Sequence, residues 1–166
     1  MEYQKIEPSA LTFNPFEAIG KSWLLITAGD RERYNTMTAS WGSLGVLWNK
    51  NVATVYIRPQ RYTKEFLDRQ EMFSLTFFGE EYRAALVFCG RNSGRDCNKA
   101  ESAGLTPFFD LPAPAFREGK LILICKKQYA QPLSPSCFTE AALASHYPAQ
   151  DYHIAYIGEI IEAYRK

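Results

Sequence analysis

Alternation with a period of two is the feature that most limits what this chain can fold into. Over residues 36–41, Thr36, Thr38 and Ser40 share one side while Met37, Ala39 and Trp41 share the other. Residues 52–58 put Ala53, Val55 and Ile57 on one face, and residues 72–78 group Phe73, Leu75 and Phe77. Successive side chains of a strand point to opposite faces, so each stretch reads as a strand with two distinct sides. Residues 23–27 form an apolar run ended by Gly29 and Asp30, which reads as a buried strand, and residues 121–127 and 153–164 supply the last two long strands. Short helices fit between them. Pro59 leads into residues 63–70, with Phe66 and Leu67 inward, Thr63 as N-cap and Glu65 in the first turn. Residues 80–89 space Tyr82, Leu86 and Cys89 helically, residues 96–103 form a third helix closed by Gly104, and residues 139–146 a fourth. Many strands with few short helices predict a mainly β fold, an antiparallel barrel closed or nearly closed and decorated by helices.

The 166 residues contain no internal repeat or long linker, so a single domain over residues 1–166 is expected. A net charge of +1 lacks the basic excess typical of nucleic-acid binders, so no nucleic-acid partner is expected. No stretch approaches the roughly 18 apolar residues of a membrane span, and no basic-then-apolar leader opens the chain. A cytoplasmic protein without a membrane partner is the expectation. The four cysteines form no C-x-x-C pair and only two histidines exist, which argues against a metal site and for free thiols. The dinucleotide fingerprint G-x-G-x-x-G, H-E-x-x-H and a Ser–His–carboxylate arrangement are all missing, so no catalytic side chain is assigned.

Three segments carry groups suited to a ligand. Asn35-Thr36-Met37-Thr38-Ala39-Ser40-Trp41-Gly42 alternates small hydroxyls with apolar residues. Small residues let a flat ligand lie close to backbone N–H groups, and the same pattern also describes an ordinary barrel strand with one polar face. Arg58-Pro59-Gln60-Arg61-Tyr62-Thr63 leads into a helix, whose unpaired N–H groups and two arginines suit a phosphate or simply a capped helix start beside solvated arginines. Ser93-Gly94-Arg95-Asp96-Cys97-Asn98-Lys99 places Arg95 and Lys99 four apart, on one face if the segment is helical, to meet an anion or only solvent. His153, near Tyr152 and Tyr156, can touch a substrate or serve the structure. Cys89 reads as core packing, and Cys97 as the one thiol whose charged neighbours can lower its pKa.

Taken in order, N-T-M-T-A-S-W-G, R-P-Q-R-Y-T, S-G-R-D followed by Lys99, and H-I-A-Y-I-G-E-I resemble the flavin reductase-like family, its flavoredoxin-like members in particular. The likeness runs from about Phe13 to Tyr164. It implies an FMN-binding split β-barrel, commonly a homodimer with flavin sites near the subunit interface. It implies that Asn35, Thr36, Met37, Thr38, Ala39, Ser40 and Trp41 line the isoalloxazine and ribityl chain. Arg58, Gln60, Arg61, Tyr62 and Thr63 would hold the phosphate end, and Gly94, Arg95 and Lys99 would add positive charge nearby. His153 and Tyr156 would border the open side of the ring, where a nicotinamide or other redox partner docks. Cys97 stands where the family is expected to carry an apolar residue. The implied activity is an oxidoreductase passing hydride from NAD(P)H to FMN and electrons onward to an acceptor. A flavoredoxin-type electron carrier is the alternative, with a haem-type module or a ligand-free interaction protein as further readings. In the flavin readings the cofactor carries the chemistry, so no protein nucleophile is needed.

Overall fold

The computed structural model describes residues 2–166. The chain runs through β1 (Gln4–Ile6), a π-helical turn Phe16–Ser22, β2 (Leu24–Gly29), β3 (Tyr34–Ala39), β4 (Gly42–Leu47), β5 (Lys50–Ile57) and α1 (Tyr62–Arg69). It continues through β6 (Met72–Phe77), α2 (Arg83–Arg91), α3 (Lys99–Ser102), β7 (Pro107–Phe108), β8 (Ala115–Phe116), β9 (Leu121–Pro132) and β10 (Ile154–Arg165). The main sheet has the order β3-β2-β6-β9-β10-β5-β4, all antiparallel, and β1 adds to β10. No strand closes the gap between β3 and the β5–β4 end among the described residues, so the barrel is split there.

Local chemistry sets the hairpins. At the β2–β3 turn the Asp30 carboxylate accepts from the backbone N–H groups of Glu32 (3.0 Å) and Arg33 (2.8 Å). Gly29 sits at φ +126°, where a Cβ would lie 2.3 Å from the Arg33 carbonyl oxygen. The β4–β5 turn places both Trp48 (φ 53°) and Asn49 (φ 58°) in the left-handed region, the two-residue geometry whose twist matches the flanking strands.

Ile26, Ile57, Phe73, Leu75 and Leu123 fill the barrel. Leu25, on the other side of β2, packs with Phe78, Leu86, Cys89 and Phe116 beneath α2. Both faces of β2 are therefore buried, which is why its sequence is a continuous apolar run. Gly158 sits at a register shift between β10 and β9. A Cβ there would come within 2.7 Å of the Phe73 ring and 2.9 Å of the Cys125 Cβ, so the core is built against bare backbone.

Several sequence-based boundaries need correction. The strand expected over residues 36–41 starts two residues earlier and stops at Ala39; Ser40 and Trp41 leave the ladder before β4 begins. β1, β4 and the Phe16–Ser22 turn were not anticipated, and β9 runs on to Pro132. Arg61, not Thr63, is the N-cap of α1, and it caps without a side-chain hydrogen bond. Thr63 lies inside the first turn, where its buried hydroxyl accepts from Asn35 Nδ2 at 2.8 Å. Within residues 80–89 a 3-10 turn, Glu80–Tyr82, precedes α2. The helix expected over residues 96–103 is only Lys99–Ser102, capped by the Asn98 side chain. Arg95 precedes it, so Arg95 and Lys99 do not share a helical face. Gly104 ends that helix at φ +66° as expected. Residues 139–146 hold a 3-10 segment, Ala141–His146, in place of an α-helix. Among the described residues no helix is long and apolar enough to cross a membrane.

Candidate functional site

The split in the barrel holds the candidate site. β3 is the last strand on its side of the sheet, so alternate residues turn their N–H and C=O toward the open edge. Thr36 faces that edge, since Lys99 Nζ donates to its carbonyl at 2.8 Å, and Thr38, two residues on, faces the same way. Across the gap stands the end of β5. Met37, Thr38, Ala39, Ser40 and Trp41 on one side and Tyr56, Arg58, Arg61 and His153 on the other enclose a cleft of about 160 Å³.

The two arginines of this cleft are wired differently. Arg61, at the start of α1, donates from Nη1 to the Gly90 carbonyl at 2.8 Å. Among the described residues no carboxylate pairs with it, so its charge is uncancelled. Arg58 donates from Nη1 to Asp151 Oδ2 and from Nη2 to the His146 carbonyl at 2.8 Å, and its guanidinium lies over the Tyr147 ring. Burial pushes the His153 imidazole down to about 4, and the positive charge of Arg58 adds to the effect. His153 is therefore neutral at neutral pH. Its Nδ1 meets the Tyr147 hydroxyl at 2.9 Å and its ring stands 4.9 Å from that of Trp41.

Five of the other expected site residues lie around a second hollow, of about 440 Å³. Asn35, Thr36, Gly94, Arg95 and Lys99 line it, with Arg33 and the half-buried Cys97. Lys99 is buried and donates to the Thr36 and Cys89 carbonyls at 2.8 Å each. Burial lowers its pKa to about 8. Arg95 is tied to Glu65 at 2.5 Å and covers the Tyr62 ring at 4.5 Å. Tyr62 also accepts from Arg33 Nη2 at 2.6 Å. A Cβ on Gly94 would fall 1.9 Å from Asn35 Oδ1, so glycine is what lets this loop lie on the Asn35–Thr63 link. Gln60 lines neither hollow and donates to Asp151 at 2.7 Å.

Tyr156 is in neither place. The even-numbered residues Ile154, Tyr156 and Gly158 of β10 are buried, and burial, with the bond its hydroxyl donates to Asp68 Oδ1 at 2.6 Å, raises the pKa of Tyr156. The expectation that it borders a ligand is thus not met by its position: strand alternation turns it into the core.

Two parts of the site were missed from sequence. Tyr56 was legible, because the alternation that sends Val55 and Ile57 inward leaves Tyr56 on the side of Arg58. The second is a hollow of about 620 Å³ that shares Ser40, Trp41 and Tyr56 with the cleft and is otherwise lined by residues such as Phe16, Ile19, Leu44, Leu133 and Tyr147. Among the described residues no charged side chain lines it.

The flavin reductase like domain model matches residues 16–165 of this sequence. The chain belongs to the flavin reductase-like family. An FMN-binding domain of a flavin reductase-like enzyme from Shewanella baltica superposes with a TM-score of 0.70 at 19% identity, covering 99% of this chain and 77% of that one. Flavoredoxin of Desulfovibrio vulgaris (Miyazaki F) gives 0.67 at 21% identity, covering 98% and 77%. A protein with a split barrel domain from Shewanella frigidimarina gives 0.69 at 22% identity, covering 95% and 76%. These likenesses show that the flavin reductase-like chain has the split-barrel fold. No curated protein matches its sequence.

Proposed function

We propose that this flavin reductase-like chain binds FMN in the cleft between β3 and β5 and works as an NAD(P)H-dependent oxidoreductase. The observation that carries the reading is the pairing of an open strand edge with an uncancelled arginine in one cleft. The residues fit the group. A flavin ring needs hydrogen-bond partners along one edge and a flat apolar wall, which the free backbone of β3 and the aromatic rings of Trp41 and Tyr56 offer. A phosphate needs a cation and donors, which Arg61 at the entrance to α1 supplies. When bound, FMN supplies the redox chemistry, accepting hydride and releasing electrons to an acceptor.

The chain's own residues then have defined work. Thr38 presents the β3 edge, with its hydroxyl fixed by donating to the Leu86 carbonyl at 2.5 Å, and Ser40 follows it at the cleft. Lys99 keeps the neighbouring turn of backbone in place from behind. Neutral His153 and Trp41 border the mouth, and the uncharged hollow beyond Trp41 and Tyr56 gives an acceptor a water-poor approach. The chain is further proposed to pair with a second copy through the β4–β5 hairpin. Val46 (73% exposed) and Trp48 (52% exposed) stand there beside Tyr129.

The decisive test is the visible spectrum of the purified protein under anaerobic conditions, with FMN and then NADH or NADPH added. Bound flavin bands that bleach with a nicotinamide support the proposal. Bands that resist both nicotinamides and bleach with dithionite indicate the electron-carrier activity instead. Failure to take up FMN refutes the reading.

A further inference from the structure

Residues 133–153 join β9 to β10; His153 lines the cleft, and Leu133 and Tyr147 line the adjoining hollow. Arg58 fastens them to the barrel through the His146 carbonyl, the Tyr147 ring and one carboxylate. Asp151 Oδ2 accepts from Arg58 Nη1 and from Gln60 Nε2, both on the segment that follows β5. Its other oxygen, Oδ1, is buried without a hydrogen-bond partner among the described residues. Asparagine would keep one oxygen acceptor for Arg58 and Gln60. What asparagine lacks is the charge.

That charge changes what the cleft offers. Three lining groups can carry positive charge, Arg58, Arg61 and His153, and His153 is neutral at neutral pH. Arg58 and Asp151 form an ion pair with side chains 26% and 18% exposed, so they cancel locally. Arg61 alone is left to attract an anion.

We propose that Asp151 sets the anion preference of the cleft by neutralising Arg58, so that two arginines that look alike in sequence have different tasks. Arg61 holds the anionic end of the ligand, and Arg58, masked by Asp151, holds the loop. Asp151 is a specificity-determining residue that touches the ligand only through the field it cancels. The proposal rests on the flavin reading for the identity of the ligand but not for the charge of the cleft.

The test compares FMN with riboflavin, which has the same ring and no phosphate, by titration of wild type, Asp151→Asn, Arg58→Gln and the double variant. In Asp151→Asn an uncancelled arginine at the mouth raises the FMN-to-riboflavin affinity ratio about tenfold. Arg58→Gln leaves the aspartate uncancelled and lowers the ratio below that of wild type. The double variant restores it. Equal losses for both ligands in all variants would make Asp151 a fastening and nothing more, and would overturn the proposal. If wild type binds neither flavin, the flavin reading falls while the charge argument is still tested. Inorganic phosphate, followed by isothermal titration calorimetry, should then bind more tightly to Asp151→Asn than to wild type, and equal or undetectable binding in both overturns the proposal.

Discussion

At the residue scale, position along a strand separates side chains that composition treats alike. Tyr56 and Tyr156 are both strand tyrosines, yet one lines the cleft and the other donates to Asp68 inside the fold. The alternation of β5 and β10 was enough to tell them apart. Lys99 was not legible in the same way. Its role depends on two carbonyls, of Thr36 and Cys89, that only the folded chain brings together. His153 carries a pH prediction. Its imidazole takes up a proton near 6.5 when unfolded and only at about 4 when folded. The stability it contributes is complete above the unfolded value and is lost as pH falls from 6.5 toward 4. Replacing His153 with Gln should flatten the urea-midpoint profile over that interval. A profile unchanged by the substitution would remove His153 as its source.

At the scale of elements, what could be read were strands with one buried and one exposed side, and what could not were elements lacking that contrast. β4 contains two glycines and has no buried residue, so nothing in Gly42–Leu47 shows a period. The third helix was overextended because Arg95 and Lys99 have helical spacing, while Asn98, a good cap, starts the helix only at Lys99. The site was legible to the same degree. The β3 segment and the arginines could be named, but the division of those residues between two hollows depends on how α2 and α3 stand behind β3. Lys99 is what joins these elements. Lys99→Met leaves two carbonyls unpaired and should lower stability by about 1–3 kcal/mol. If the β3 edge forms the flavin wall, FMN affinity falls as well. Thermal melts with and without FMN check both, and an unchanged melting temperature would show that the ammonium bears no structural weight.

For the whole molecule, the exposed hairpin tip makes assembly testable. Val46, Leu47 and Trp48 place apolar side chains in water at the end of β4, more than an isolated domain gains from exposing. Trp48→Glu should shift the protein from dimer to monomer in light scattering at micromolar concentration. A wild-type protein that is already monomeric would refute the pairing.

The order of the strands has a consequence for how the protein is made. The strands that carry both walls of the cleft are made by Ile57, yet β3 and β5 belong to halves of the sheet that only β10 joins. A ribosome delivers β10 last among the strands. Until then each half is a sheet with an open flank, and the growing chain holds every cleft residue but His153 without holding a cleft. Whatever the cleft binds is therefore loaded after synthesis of β10, and a chain stalled before it exposes the flanks of β9 and β5 to any neighbour able to pair with them.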